Sequence, residues 1–251
     1  MRTAEACLAP RRHVLSELTD LLNRQYGDLS AKELLRLVIN DLAPGRAAIV
    51  SSFGAESDVL LHLVSEVDAG TPVIFLDTGK HFQETLAYRE ALTADLGLTD
   101  VRSVEPDEVQ IGNADRDGKL WQSDPDLCCG LRKREPLVAA LKPFFVWVSG
   151  RKRQQSGSRS NLELFEADPP HIKLNPLAHW SRDDVEAYAK RHALPEHPLV
   201  GEGYPSIGCA PCTDRVRAGE DPRAGRWRGL GKTECGIHGA ARGVTIIGGA
   251  G

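Results

Sequence analysis

Five of the six cysteines in this 251-residue chain fall in its second half, in three groups. They are the adjacent pair Cys128–Cys129, the pair in Cys209-Ala-Pro-Cys212, and Cys235 within Glu234-Cys-Gly-Ile-His238. Thiolates are soft ligands that suit zinc, copper(I) or iron–sulfur clusters. The Cys-x-x-Cys spacing lets two sulfurs reach one centre. The adjacent pair is unusual for tetrahedral structural zinc, whose paired ligands sit two to four residues apart, whereas neighbouring cysteines can bind different irons of one cube. Structural zinc is the alternative. Either way four sulfurs pair off as ligands and Cys235 is left to react.

Cys235 stands among Lys232, Glu234 and His238, with Arg223, Arg226 and Arg228 shortly before it. Cationic neighbours lower a thiol's pKa from about 8.5 and favour the nucleophilic thiolate. They would also neutralise an anionic group approaching that thiolate. The plain alternative is a solvated basic loop. Arg132 and Lys133 follow the first cysteine pair directly. On an α-helix Lys133 shares a face with Cys129. Cys7 lies outside every group and reads as incidental, and His62, inside an apolar helix, reads as a core residue.

These residues need a scaffold, and the pattern supplies one. Ser30-Ala-Lys-Glu33 is a capping box opening an amphipathic helix. Residues 46–51 and 71–77 are short apolar runs suited to buried strands, and 101–104 and 144–149 supply a third and a fourth. Helices are predicted after residue 57, over about 81–96 with Gly97 as the C-terminal cap, and from the Ser181 cap to about 192. Strands alternating with helices predict an α/β fold, a mostly parallel sheet covered on both faces. Residues 1–200 are expected to form the α/β domain, with N-terminal helices over 1–45. Residues 201–251 form an irregular cysteine-bearing segment, frayed over 248–251.

Ligands of such sheets bind beyond the carboxyl ends of the strands. Ser51, Ser52, Phe53, Gly54 and Ser57 lie at one such end before a helix, where hydroxyls, a close-approach glycine and free amides make an anion cradle. Thr78 and Gly79 end the next strand and would border the same crevice, with His81 just beyond. Gly150, Arg151, Arg153 and Arg159 follow the fourth strand at the same edge. A serine-rich turn and a plain surface loop are the bland readings of these segments. Trp121, Trp147 and Trp180 read as packing.

Net charge is −4, with 41% hydrophobic and 26% charged residues. That balance describes a globular chain without a global basic field for nucleic acid. No apolar run approaches the roughly 20 residues of a membrane span. Arg11 and Arg12 have no apolar stretch behind them, so no secretory signal is expected. A cytoplasmic, reducing setting follows, in which clustered cysteines serve metals or catalysis.

Together these motifs resemble the assimilatory adenylyl-sulfate (APS) reductases of the phosphoadenylyl-sulfate/adenylyl-sulfate reductase family. The resemblance runs from about Ser51 to His238. It implies the adenine-nucleotide α-hydrolase-like (Rossmann-like) fold, whose modified phosphate loop reads Ser-Gly-Gly-x-Asp-Ser. Here Phe53 replaces the first glycine and Glu56 the aspartate, and the bulkier loop suits a sulfate joined to an adenylate. The resemblance implies a [4Fe–4S] cluster on Cys128, Cys129, Cys209 and Cys212. It also implies Cys235, Lys133 and His238 as catalytic groups, with the arginines, Arg132 included, on the phosphosulfate. Gln154 stands where many relatives have aspartate. The implied reaction takes APS to sulfite and AMP through an enzyme S-sulfocysteine, resolved by thioredoxin or a glutaredoxin-like dithiol. Alternatives are a reductase of the 3′-phosphorylated nucleotide or of both, and an ATP-cleaving tRNA sulfur transferase. A zinc-stabilised nucleotide-binding module is the non-enzymatic reading. Homo-oligomerisation is left open.

Overall fold

The computed structural model describes residues 2–238. The fraying expected over 248–251 lies outside the described residues, and at Cys7 only the helical backbone is described. Two helices lead in, α1 (Arg2–Tyr26) and α2 (Ala31–Arg36). The Ser30 cap of α2 is a complete capping box, the Glu33 carboxylate taking the Ser30 N–H at 2.8 Å. A π-helical turn, Leu37–Leu42, continues it.

The sheet then builds in alternation: β1 (Ala47–Val50), α3 (Ser57–Asp68), β2 (Val73–Leu76), α4 (Gln83–Asp95) and β3 (Val101–Val104). Four short helices follow, α5 (Glu108–Ala114), α6 (Leu120–Ser123), α7 (Pro125–Cys129) and α8 (Glu135–Leu141). Next come β4 (Val146–Ser149), the hairpin β5 (Phe165–Asp168) and β6 (His171–Leu174), and α9 (Arg182–Arg191). Gly97 ends α4 at φ +63°, as a C-terminal glycine should.

The strand order is β3-β2-β1-β4-β6-β5, parallel throughout except for the β5–β6 hairpin. The mostly parallel sheet with helices is therefore present. The hairpin is a strand pair that the sequence pattern does not announce. Successive strand residues face opposite sides. Ile49, Val73, Phe75 and Val148 pack with α2 and α3 in the larger core. Ala48, Ile74, Leu76 and Trp147 pack with Leu137 and Leu141 of α8 in the smaller one.

The chain runs outward from β1 through β2 to β3, then returns to lay β4 on the other side of β1. That reversal makes a switch point between β1 and β4, where crevices form in open α/β sheets. Register pairs Val50 with Ser149, so the loops after β1 and β4 emerge side by side. No helix among the described residues is long and apolar enough to cross a membrane.

Candidate active site and cysteine cavity

The cleft at the switch point is lined by Ser51, Ser52, Gly54 and Ser57 after β1, and by Gly150, Arg151 and Arg159 after β4. Lys133, Arg223, Arg226, Cys235 and His238 complete it from the far side, with His81 beside them. A span of more than 180 residues in sequence thus converges on one opening.

Phe53, Thr78, Gly79, Arg132 and Arg153 do not line this cleft. Phe53 holds φ at +46°, and its fully buried ring turns into the core, edge-on to Phe75 at 5.7 Å. What the loop offers the cleft at this position is backbone, not ring, so the bulk expected from the sequence is absent from the opening. Thr78, Gly79 and Arg132 border a separate groove with Asp77 and Asp115. Arg132 gives Nη1 to the Thr78 carbonyl and Nη2 to Asp115 Oδ2, both at 2.7 Å. Arg153 donates Nε to the Leu162 carbonyl at 2.7 Å.

A second, smaller cavity lies behind the cleft. Cys128, Cys129, Cys209 and Cys212 all line it, together with Trp121, Arg132, Lys133, Arg226 and Trp227. Cys235 does not line it, although it packs against the edge of the Cys209, Cys212 and Trp227 group. Four sulfurs therefore share one enclosure and the fifth opens to the cleft. Among the described residues, no three Cys, His, Asp or Glu side chains converge closely enough to hold one metal ion.

Local backbone explains how distant segments meet here. The Ala210 N–H donates to the Lys80 carbonyl at 2.7 Å, tying the Cys209 loop to the loop after β2. Trp227 N–H donates to the Cys212 carbonyl at 3.0 Å, and Asp214 N–H to Gly225 O at 2.8 Å. A Cβ on Gly225 would sit 2.1 Å from that Asp214 carbonyl, so only glycine permits the pairing. Arg226 and Trp227 are thereby laid across the cysteine pair. The helix expected through Cys129 and Lys133 is interrupted by a π-turn, Gly130–Arg134. Pro136 has no N–H for the Arg132 carbonyl, so the α ladder is broken there in any case.

Burial pushes the thiols up: Cys128 to about 12, Cys212 to about 11, and Cys129 in the same direction. Burial acts on Cys209 too, but Lys133, the Thr78 hydroxyl 3.3 Å away and Arg226 outweigh it and hold that thiol below its ordinary value. Burial also opposes the Lys133 charge, yet Cys209, Cys235 and Cys129 more than offset it, so the ammonium is held. At Arg226 burial outweighs Cys235, Cys209, Cys212 and Cys129 and lowers the guanidinium from its ordinary value. Both cations therefore face the four-cysteine cavity and Cys235 at once.

Some residues of the cleft were not singled out by sequence reasoning. Lys152, wholly buried, puts Nζ 2.7 Å from Glu56 Oε2 and bridges the two loops. Its signal was Glu56, an acid inside a loop that otherwise favours anions. Gly208 lies flat beneath the Arg226 guanidinium, where a Cβ would fall 2.1 Å from Nη2. His62 proves half-buried, with Nδ1 2.9 Å from the Tyr188 hydroxyl. His81 gives Nε2–H to the Leu76 carbonyl at 3.0 Å.

Comparison with known proteins agrees with this geometry. A family model described as the phosphoadenosine phosphosulfate reductase domain matches residues 46–215. An adenosine 5′-phosphosulfate reductase of Mesorhizobium japonicum is 52% identical over 217 residues, covering 86% of this chain and 85% of that protein. One from a Chelativorans species is 50% identical, covering 86% and 89%. The crystal structure of phosphoadenylyl-sulfate reductase from Candida auris superposes with a TM-score of 0.67 at 29% identity, covering 80% of this chain and 97% of that one. With its sheet, its crevice and its cysteine quartet in view, the chain belongs to the phosphoadenosine phosphosulfate reductase family.

Proposed function

We propose that this protein reduces adenylyl sulfate to sulfite and AMP, with Cys235 as the nucleophile. The observation that carries the reading is the division of sulfurs. Cys235 opens to the same cleft as Lys133, Arg151, Arg159, Arg223 and Arg226, while the other four described thiols line the cavity behind. The loop Ser51–Ser57 offers amides and hydroxyls to the adenylate, and the cations offer neutralisation to the phosphosulfate.

The Cys235 thiolate attacks the sulfate sulfur. An S–S bond forms, the bond from sulfur to the phosphate oxygen breaks, and AMP leaves with that electron pair. The enzyme then carries S-sulfocysteine. An external dithiol of the thioredoxin or glutaredoxin class attacks the Cys235 sulfur and expels sulfite. Its second thiol resolves the mixed disulfide, so the two electrons come from the dithiol and Cys235 returns as thiol. Among the described residues Cys235 has no second thiol beside it on the tail, which is why the donor is external. The tail must move for that exchange, and Gly236 at φ +79° gives it a turn next to the nucleophile.

Cys128, Cys129, Cys209 and Cys212 would hold a [4Fe–4S] cluster. Structural zinc takes paired ligands two to four residues apart, a spacing that the adjacent Cys128–Cys129 does not have. The cavity wall instead presents buried donors without partners, Arg132 Nε, Arg226 Nε and Trp227 Nε1. Thiolates and bridging sulfides accept such donors. Bound there, the cluster would supply a fixed charge centre that organises Lys133 and Arg226.

The test uses APS labelled in its sulfate sulfur. Wild-type protein should trap label in the absence of dithiol and release it as sulfite when a thioredoxin is added. Cys235→Ser should bind APS and trap none; label that persists on this variant removes Cys235 from the role.

A further inference from the structure

Glu234 stands immediately before Cys235, and its carboxylate already occupies two of the guanidiniums assigned above to the phosphosulfate. Arg159 holds it with two parallel bonds, Nε to Oε1 and Nη2 to Oε2, each 2.8 Å. Arg223 Nη2 stands 3.4 Å from the same Oε2 and 3.1 Å from the Thr233 carbonyl. Burial alone would favour the protonated acid, but Arg159 and Arg223 hold Glu234 below the usual carboxylate range, so it is an anion here. A bidentate guanidinium pairing is also the geometry by which arginine grips a phosphate or sulfate. Carboxylate and substrate therefore require the same atoms.

The rest of the segment is anchored by other means. Ile237 packs against the core formed by Ile74, Leu76 and Trp147. The His238 ring stacks on Trp147, and the Lys173 Nζ reaches the His238 carbonyl at 3.5 Å. Lys232 pairs with Asp126. None of these contacts uses Arg159 or Arg223. Of the anchors of residues 232–238, the one that an arriving anion contests is Glu234.

We propose that Glu234 is a positioning residue that acts as an internal stand-in for the substrate anion. Paired with Arg159 and Arg223 it keeps the Cys235 segment folded over the cleft, and an incoming phosphosulfate takes those guanidiniums from it. Substrate arrival thereby loosens the nucleophile segment on one side while Ile237 and His238 hold it on the other. Affinity is reduced by the fraction of molecules in which the carboxylate is seated. The proposal rests on the reading of the cleft as an APS site.

The experiment compares APS affinity in Cys235→Ser with that in the same variant carrying Glu234→Gln or Glu234→Asp. Removing the competing charge should tighten binding about three- to tenfold, and aspartate should restore most of the parent affinity. A merely structural role would weaken binding or leave it unchanged. In the wild-type protein, added inorganic sulfate should speed alkylation of Cys235 by a neutral reagent several-fold over chloride at equal ionic strength. If the Cys235→Ser parent binds no APS, the reading of the cleft fails. If the parent binds APS and Glu234→Gln binds it no tighter, this proposal alone is overturned. Sulfate that leaves the wild-type alkylation rate unchanged overturns it as well, and does so without requiring the variants to fold.

Discussion

The imidazole of His238 lies flat on the indole of Trp147, ring centroids 5.5 Å apart and planes inclined by 10°. Trp147 is itself fixed, wholly buried with Nε1 donating to Asp168 Oδ2 at 2.6 Å. The tail that carries Cys235 thus docks on a rigid platform in the smaller core. Lys173 Nζ sits 4.9 Å from the centre of the same indole.

That docking should depend on pH. Burial, then Arg151, Lys173, Arg159 and Arg223, hold the docked imidazole well below its ordinary 6.5. These cations face it from the loop after β4, from β6 and from the C-terminal loops. An undocked tail regains the ordinary value, so below about pH 6.5 the undocked state binds the extra proton. Docking is complete above that pH and is lost progressively as pH falls. Hydrogen exchange of the 234–238 amides, corrected for intrinsic rate, should show protection at pH 7.5 that declines by pH 5.5. His238→Phe should keep its protection at both; equal decline in that variant would move the cause elsewhere.

Lys133 and Arg226 are the two cations common to the cleft and the cysteine cavity. Removing one preorganised donor from developing negative charge typically costs 10²–10³ in rate. Lys133→Met should therefore slow single-turnover transfer of sulfur to Cys235 by about that factor. Nucleotide affinity should change much less if the loop after β1 holds the adenylate, as proposed above. Quenched-flow trapping of the labelled protein measures the rate. A variant that binds tenfold weaker and transfers at the wild-type rate would make Lys133 a binding group instead.

Much of this site was legible in the residues themselves. The five described cysteines, the loop after β1 and the Arg151–Arg159 segment declare their chemistry by type and spacing, and strand ends place them at one edge. Other parts were hidden because they depend on tertiary pairing. Nothing in Thr78 or Arg132 tells that they turn to Cys209 and Asp115 instead of the cleft; the separation of 54 positions between them is closed only by the fold. The side chain of Phe53 could not be aimed from sequence, since a left-handed backbone at a bulky residue is set by the surrounding core. The β5–β6 hairpin is not legible because Glu166, Asp168, His171 and Lys173 are polar positions whose partners, Lys173 for Glu166, Trp147 for Asp168 and the Phe144 carbonyl for His171, are supplied only by the folded sheet.

Arg132 and Asp115 form a buried pair at 2.7 Å, with Asp115 wholly enclosed and Arg132 nearly so. Asp115 Oδ1 also takes the Leu120 N–H at 2.8 Å. Breaking such a pair by removing one partner costs about 3–5 kcal/mol, since the other charge stays buried. Asp115→Ala should lower stability by about that much. It should also disturb the cysteine cavity that Arg132 walls. Urea unfolding gives the first and iron content per chain the second. A loss below about 1 kcal/mol would mean that water replaces the carboxylate.

Glu56 and Lys152 tie the loop after β1 to the loop after β4 across the switch point. Lys152 is fully enclosed, and its ammonium also reaches the Gly150 carbonyl at 3.2 Å. Gln155 also donates Nε2 to the same Glu56 oxygen at 2.8 Å. Glu56→Gln would take from an enclosed ammonium the carboxylate it is bonded to. The cost should be about 2 kcal/mol, less than the ~3–5 of a wholly buried pair, because Glu56 keeps some contact with water. Lys152→Met added to Glu56→Gln should return most of that loss, since no charge is then stranded. A double-mutant cycle on unfolding free energy measures the coupling. Because the pair sets the spacing of the two loops, each single variant should also raise KM for the nucleotide while sulfur transfer at saturation changes little. Additive stabilities, or a fall in transfer with KM unchanged, would show that the pair does not hold the cleft open at its working width.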